Sequence, residues 1–239
     1  MANIPDEMPA FLPSFGRRVG KALGLQKRTL LKELLPVLLP VLPESGELVE
    51  PRIWFEAPVK SVCMEIGFGG GEFLAQQVQA HPETGFIGCE PYLNGVASFL
   101  REIPPGSYKN VRVWNDDARL LLARLKSGCL DTVFILFPDP WPKKRHHKRR
   151  LVSSAMLDIL ADKIKPGGTL LLATDHPDYA EWMLAHLLQH PAFSWTAKEP
   201  SDWKNPPKYW VSTRYEGKTR NEGRPPVFLH FLRCNDKNA

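Results

Sequence analysis

The 239-residue chain carries 31 Lys and Arg against 26 Asp and Glu, a net charge of +5, with 43% hydrophobic and 24% charged residues. These proportions suit a soluble globular protein and exclude a disordered, collagen-like or fibrous chain. Six basic residues fall within Lys143–Arg150 (KKRHHKRR), and without that window the chain has 25 basic against 26 acidic residues, so the basic character belongs to one spot.

The longest apolar run, Leu34–Leu42, contains Pro36 and Pro40 and falls far short of the roughly 20 residues that cross a bilayer, so no membrane partner is expected. The N-terminus MANIPDEMPA lacks the basic, apolar and small-residue zones of a signal peptide. Cys63, Cys89, Cys129 and Cys234 are scattered with no C-x-x-C pair, which speaks against a metal cage or a disulfide framework and for a cytoplasmic protein. Monomer and homodimer are both compatible with this composition.

Residues 1–58 hold several prolines and a mixed basic and apolar stretch without a clean helical stripe, and read as a partly flexible N-terminal extension. From Val59 the chain alternates short apolar runs with amphipathic segments, the pattern of βαβ units around a parallel sheet. Strands are expected at Ser61–Ile66, Gly85–Glu90, Val111–Trp114, Thr132–Phe137 and Thr169–Thr174, and helices at Glu72–Ala80, Asn94–Arg101, Ala118–Lys126, Ser153–Ile164 and Pro177–Gln189. After Pro191 a long loop is expected. Tyr209–Tyr215 and Val227–Leu232 then read as a terminal antiparallel hairpin, which makes 59–239 one α/β domain.

The first strand runs into Glu65-Ile66-Gly67-Phe68-Gly69-Gly70-Gly71-Glu72. Glycines let a backbone approach a ligand closely and adopt positive φ, although a tight βα turn would use them too. The dinucleotide fingerprint needs a third glycine where Glu72 stands, so the loop looks more like one that binds S-adenosyl-L-methionine, with Glu65 beside its cationic sulfonium and amino groups. Glu90 ends the second strand, where a carboxylate can accept both ribose hydroxyls or simply face solvent. After the third strand, Asp116 or Asp117 can receive an adenine amino group or cap the following helix.

The fourth strand breaks at Phe137-Pro138-Asp139-Pro140-Trp141-Pro142, where three prolines restrict the backbone. This is either a structural turn or a rigid mount for Asp139. Lys143, Lys144, Arg145, Lys148, Arg149 and Arg150 follow with no acid among them, a footprint for nucleic-acid phosphates. His146 and Trp141 could stack on or hydrogen-bond a base. A targeting patch and a solvated helix start are the plainer alternatives.

EIGFGGGEF, FIGCE, FPDPWPKKRHHKRR, LLATDH and TRYEGK together resemble the tRNA (guanine-N7-)-methyltransferase family over residues 59–233. The resemblance implies a Rossmann-like class I methyltransferase fold, S-adenosyl-L-methionine as cofactor and tRNA as partner, with N7 of a variable-loop guanine as acceptor. It assigns cofactor binding to Glu65, Glu90, Asp117 and Asp139, alongside Gly67, Gly69 and Gly71 of the loop. It makes Asp139 catalytic and gives substrate contacts to Lys143, Asp175 and Thr213-Arg214-Tyr215-Glu216. The family usually has Thr-Lys-Phe-Glu at the last position, and the Arg and Tyr here keep charge and aromaticity. Asp175 could instead cap the helix beginning at Pro177. A methyltransferase for another RNA, a non-catalytic RNA-binding factor on the same fold and an NAD-dependent oxidoreductase are the alternatives, the last opposed by Glu72 and the basic run.

Overall fold

The computed structural model describes residues 15, 16, 18, 20–210 and 223–235 of the chain. Seven strands form one sheet in the order β3-β2-β1-β4-β5-β7-β6. They are β1 (Ser61–Ile66), β2 (Thr84–Cys89), β3 (Val111–Trp114), β4 (Leu130–Leu136), β5 (Ile164–Thr174), β6 (Phe193–Trp195) and β7 (Val227–Arg233). The first five pair in parallel, and β7 runs antiparallel to both β5 and β6. Strand order reverses between β1 and β4, and at such a switch point open sheets leave a crevice at the carboxyl ends of their strands.

The helices are α1 (Leu25–Glu33), α2 (Leu35–Leu38), α3 (Glu72–Ala80), α4 (Leu93–Glu102), α5 (Ala118–Leu122), α6 (Ser154–Lys163), α7 (Pro177–Gln189) and α8 (Ser201–Lys204). Alternate strand residues face opposite layers. Val62, Met64, Ile66, Val133 and Ile135 pack in one buried cluster with residues of α5, α6 and α7. Phe86, Val111 and Val113 pack with α3 and α4, and Leu30 and Leu31 of α1 close that side. A third cluster joins Phe73, Phe134 and Phe228, against which Trp210 packs.

The expected strands and helices appear with three instructive differences. The helix expected over Ala118–Lys126 stops at Leu122, because the chain bridges to Val49: the Val49 amide donates to Arg124 O at 2.8 Å and the Lys126 amide to Val49 O at 3.0 Å. The loop expected after Pro191 contains β6 and α8. The antiparallel pair at that end of the sheet is β6 with β7. Its expected partner, Tyr209–Tyr215, begins with Tyr209 and Trp210 outside any strand, and its remainder lies outside the described residues. Within residues 1–58, Leu38, Val49, Trp54 and Phe55 are buried in the core.

Candidate active site and nucleic-acid interface

The glycine loop joins β1 to α3. Gly67, Gly69 and Gly71 have φ of 78°, 56° and 78°, a region that L side chains rarely adopt. A Cβ built on Gly67 or Gly69 would meet nothing within 4 Å, whereas one on Gly71 would meet Phe99 at 2.5 Å. The first two glycines therefore line an open backbone cradle, and the third lets α4 pack closely. The Gly67 amide donates to Cys89 O at 2.7 Å, which ties the cradle to the end of β2.

Glu90 follows β2 and braces the same loop. Its Oε2 accepts from the Gly69 amide at 2.7 Å and its Oε1 from the Tyr92 amide at 2.8 Å. Burial raises its pKa above the ordinary value; the two amides oppose that, and the charge of Asp139 adds to it. Each carboxylate oxygen keeps a second lone pair for a ligand hydroxyl. Glu65 is 3% exposed and its Oε2 has no hydrogen-bond partner among the described residues. Burial, then the charges of Glu90 and Glu72, push its pKa up to about 8. A buried carboxyl with an idle oxygen beside an open cradle suits a ligand that brings positive charge or N–H donors.

At the end of β3, Asp117 is the N-cap of α5. Its Oδ1 accepts from the Arg119 amide and from Arg119 Nε, both at 2.9 Å, and its Oδ2 pairs with the same guanidinium at 2.5 Å. Asp116 accepts from the Asp117 amide at 2.7 Å and pairs with Arg18 at 2.6 Å.

The loop after β4 is strained. Phe137 and Trp141 have φ of 50° and 43°, and bulky residues in that region are outliers that concentrate at functional sites. The Phe137 amide donates to Ala173 O at 2.8 Å, which anchors the start of the loop on β5. Between the two strained residues Asp139 is exposed, and no hydrogen bond or ion pair holds its carboxylate among the described residues.

Lys144–Arg149 form a two-turn 3-10 helix that carries most of the basic run. Lys143, Lys144, Arg145 and Lys148 are exposed. The Arg149 guanidinium lies against both Phe15 and Trp141, with its carbon 4.6 and 4.9 Å from the two ring centroids. His146 meets Trp141 edge-on at 5.8 Å; its pKa is lowered by desolvation first and then by Arg149, Arg145, Lys143 and Lys148.

Arg150 departs from the expectation that the whole run contacts phosphate. Its side chain is 0% exposed: it pairs with Asp178, donates from Nε to Pro140 O at 2.8 Å, and sits 5.0 and 4.9 Å from the rings of Tyr179 and Trp182. Arg150 thus pins the Asp139 loop to α7, and its side chain has no exposed surface to offer a phosphate. Pattern reading missed this, because burial of the sixth cation depends on an acid 28 residues later.

Asp175 follows β5, is buried, and forms an ion pair with Arg224 at 2.8 Å. The N-cap of α7 is His176, so Asp175 does not cap that helix. Thr213, Arg214, Tyr215 and Glu216 lie outside the described residues. The stretch SFGRRVGK, which also resembles a basic lead-in of the tRNA (guanine-N7-)-methyltransferase family, gives no hint of its packing: Phe15 packs on Trp141 at 6.3 Å and the Leu93 amide donates to Arg18 O at 3.1 Å.

A doubly wound sheet ending in an antiparallel β7, with a glycine cradle and two strand-end carboxyls at its switch point, defines a class I, Rossmann-like S-adenosyl-L-methionine-dependent methyltransferase. A family model described as "Putative methyltransferase" matches residues 59–229. Proteins named tRNA (guanine-N(7)-)-methyltransferase are similar along most of the chain. The one from Rhodospirillum rubrum is 47% identical over 188 residues, 79% of this chain and 74% of that protein. The one from Azorhizobium caulinodans is 47% identical over 186 residues, 78% and 81% of the two chains. Among solved structures, an rRNA methylase from Streptococcus thermophilus shares the fold, with a TM-score of 0.50 at 10% identity over 73% of this chain and 87% of that one. The chain belongs to the tRNA (guanine-N(7)-)-methyltransferase family.

Proposed function

We propose that this chain methylates N7 of a guanine in the variable loop of tRNA, using S-adenosyl-L-methionine and leaving N7-methylguanosine. The observation that carries the reading is the strained loop that holds an exposed Asp139, without an ion pair among the described residues, between an acid-lined cradle and a cluster of exposed cations. Gly67 and Gly69 with Glu65 and Glu90 would hold the cofactor, Glu65 facing its positive charge and Glu90 its ribose hydroxyls. Asp117, already occupied as a cap, would contribute at the adenine end beside Asp116. When bound, the cofactor supplies an electrophilic methyl group on a sulfonium.

Guanine N7 carries an in-plane lone pair and no proton at neutral pH, so no general base is required to create the nucleophile. Positioning then dominates, and correct alignment of two reactants is worth on the order of 7–11 kcal/mol. As the methyl arrives, the purine becomes cationic. A carboxylate held near the base stabilises that charge and accepts from its N1–H and N2–H edge. Asp139 fills this role, and Pro138, Pro140 and the Arg150 tie to Pro140 keep its backbone in place.

Lys143, Arg145, Lys148 and Arg149 would hold phosphates around the target, with His146 and Trp141 available to the base. Asp175 and Thr213–Glu216 would complete the substrate side. We take residues 59–239 as the methyltransferase domain, residues 1–58 as its N-terminal extension, and the cytoplasm as its location. No described helix is long and apolar enough to cross a membrane.

Transfer of labelled methyl from S-adenosyl-L-methionine to bulk tRNA tests the reading. The wild-type protein transfers label. Asp139→Ala still binds tRNA and cofactor but loses transfer, and near-wild-type turnover by the purified variant overturns the assignment of Asp139.

A further inference from the structure

The basic run at Lys143–Arg150 is not the sole cationic block. Between Gly16 and Lys32 stand Arg17, Arg18, Lys21, Lys27, Arg28 and Lys32 with no acid among them. Setting both blocks aside leaves 19 basic against 26 acidic residues, a net −7 for the rest of the chain. Two members of the second block are used within the fold, Arg18 on Asp116 and Lys27, whose Nζ donates to Ser98 Oγ at 2.8 Å. Lys21, Arg28 and Lys32 are not: all three are exposed, without a carboxylate partner among the described residues, and they line one groove of about 590 Å³ floored by Leu31, Leu93 and Asn94.

The arrangement works against the local helix. Arg28 and Lys32 are four residues apart on one face of α1, and like charges at that spacing destabilise a helix. α1 has nine residues, an N-cap Gly24 that makes no side-chain bond and no acid in its first turn, and so short a helix is marginal by itself. Two cations without a carboxylate partner among the described residues on such an element, with Lys21 lining the same groove from just ahead of the helix, are best accounted for by an anion outside the fold.

The place of the groove says what kind of anion. Leu93 and Asn94 begin α4, three residues beyond Glu90, and a Cβ on Gly95 would meet Gly69 O at 2.3 Å. The groove therefore opens at the same sheet edge as the cofactor cradle. Described residues on the chain leading into it reach back to the first basic block: Phe15 packs on Trp141 and Arg149, Arg18 O accepts from Leu93, and Lys21 O accepts from Asn94 Nδ2 at 2.9 Å. Two cation clusters along one sheet edge fit a long polyanion with repeated phosphates.

We propose that Lys21, Arg28 and Lys32 form a second phosphate-binding surface, which grips the backbone of the tRNA body while the Lys143–Arg149 stretch holds the segment at the target base. The proposal rests on the tRNA reading above.

The test is the triple variant Lys21→Gln, Arg28→Gln, Lys32→Gln in the full chain, with tRNA binding measured at 50 and 200 mM salt. Losing three phosphate contacts lowers the log–log salt slope by about two to three, so wild-type affinity falls on the order of 40-fold more than that of the variant across this range. The melting temperature does not fall, and rises slightly as the Arg28–Lys32 repulsion is relieved, while cofactor affinity stays unchanged. Binding of a short RNA carrying only the variable-loop sequence also stays unchanged. Equal slopes for variant and wild type, or an equal loss on the short RNA and on full tRNA, overturn the proposal. So does variant-sensitive binding to phosphatidylglycerol vesicles with an unaltered RNA slope, which would make the groove a lipid site. A wild-type protein that fails to bind or methylate tRNA at all would instead remove the functional reading beneath it.

Discussion

Glu65→Gln separates a carboxyl awaiting a cationic ligand from one that is simply packed. Glu65 is buried, has no partner for Oε2 among the described residues and has a pKa raised to about 8 from an ordinary 4.5. The native ligand-free protein therefore binds more protons than the unfolded chain between these values, and its stability falls as pH rises from 4.5 through 8. With 1.36 kcal/mol per pKa unit, the raised pKa of Glu65 lowers stability by about 2 kcal/mol at pH 6, where only the unfolded chain ionises, and by about 4 to 5 kcal/mol at pH 8.5, where the buried group ionises too. Gln keeps the shape without the charge. The stability advantage of the variant over wild type should thus widen by about 2 to 3 kcal/mol between the two pH values, some 5–10 °C in melting temperature for a chain of this size. Thermal denaturation without cofactor at pH 6 and 8.5 reads this directly. Cofactor binding should then release close to one proton at pH 7 in the wild type and none in the variant, seen by calorimetry in buffers of different ionisation enthalpy. Parallel pH profiles for the two proteins would refute the reasoning.

Arg150→Lys keeps the charge but loses the planar fork shared between Pro140 O and Asp178. It should lower unfolding stability by about 3 kcal/mol or less and reduce methyl transfer at saturating tRNA; unchanged urea unfolding with weakened tRNA binding would return Arg150 to the phosphate-contacting group. Gly69→Ala places a methyl group in the cradle at a φ of 56°, with a strain of about 1–2 kcal/mol; cofactor affinity should fall at least about tenfold while tRNA binding holds, and unaltered cofactor affinity would show that the ligand lies elsewhere. Replacing Lys143, Lys144, Arg145 and Lys148 by Gln should lower the salt slope of tRNA binding by about three to four, and an unchanged slope would leave that stretch a solvated surface.

The sheet was legible because buried parallel strands read as short apolar runs between glycine and proline breaks, as at Ser61–Ile66 before the Gly67 turn. Glu65 and Glu90 were legible for a related reason: their places at strand ends follow from the strands themselves. What pattern could not supply was tertiary. α5 yields its last turn to a bridge with Val49, more than 70 residues earlier. β6 has three residues, too few for any period, and exists because β7 offers an edge. Arg150 has the same sequence texture as its neighbours, yet Asp178, Tyr179 and Trp182 draw it inward. Asp117 carried two readings, and Arg119 at the next-but-one position fills its carboxylate as a cap. The charge was misjudged too, since a sum that isolated one basic window concealed a second block offset by acids elsewhere.

Borohydride and aniline cleavage of tRNA treated with the purified protein and S-adenosyl-L-methionine maps N7-methylguanosine to a single nucleotide. The expected result is a new cut at one guanine of the variable loop, absent when Asp139→Ala is used. A methylated product that resists cleavage, or a cut confined to another region of the tRNA, would contradict the assignment of N7 of that guanine as the acceptor.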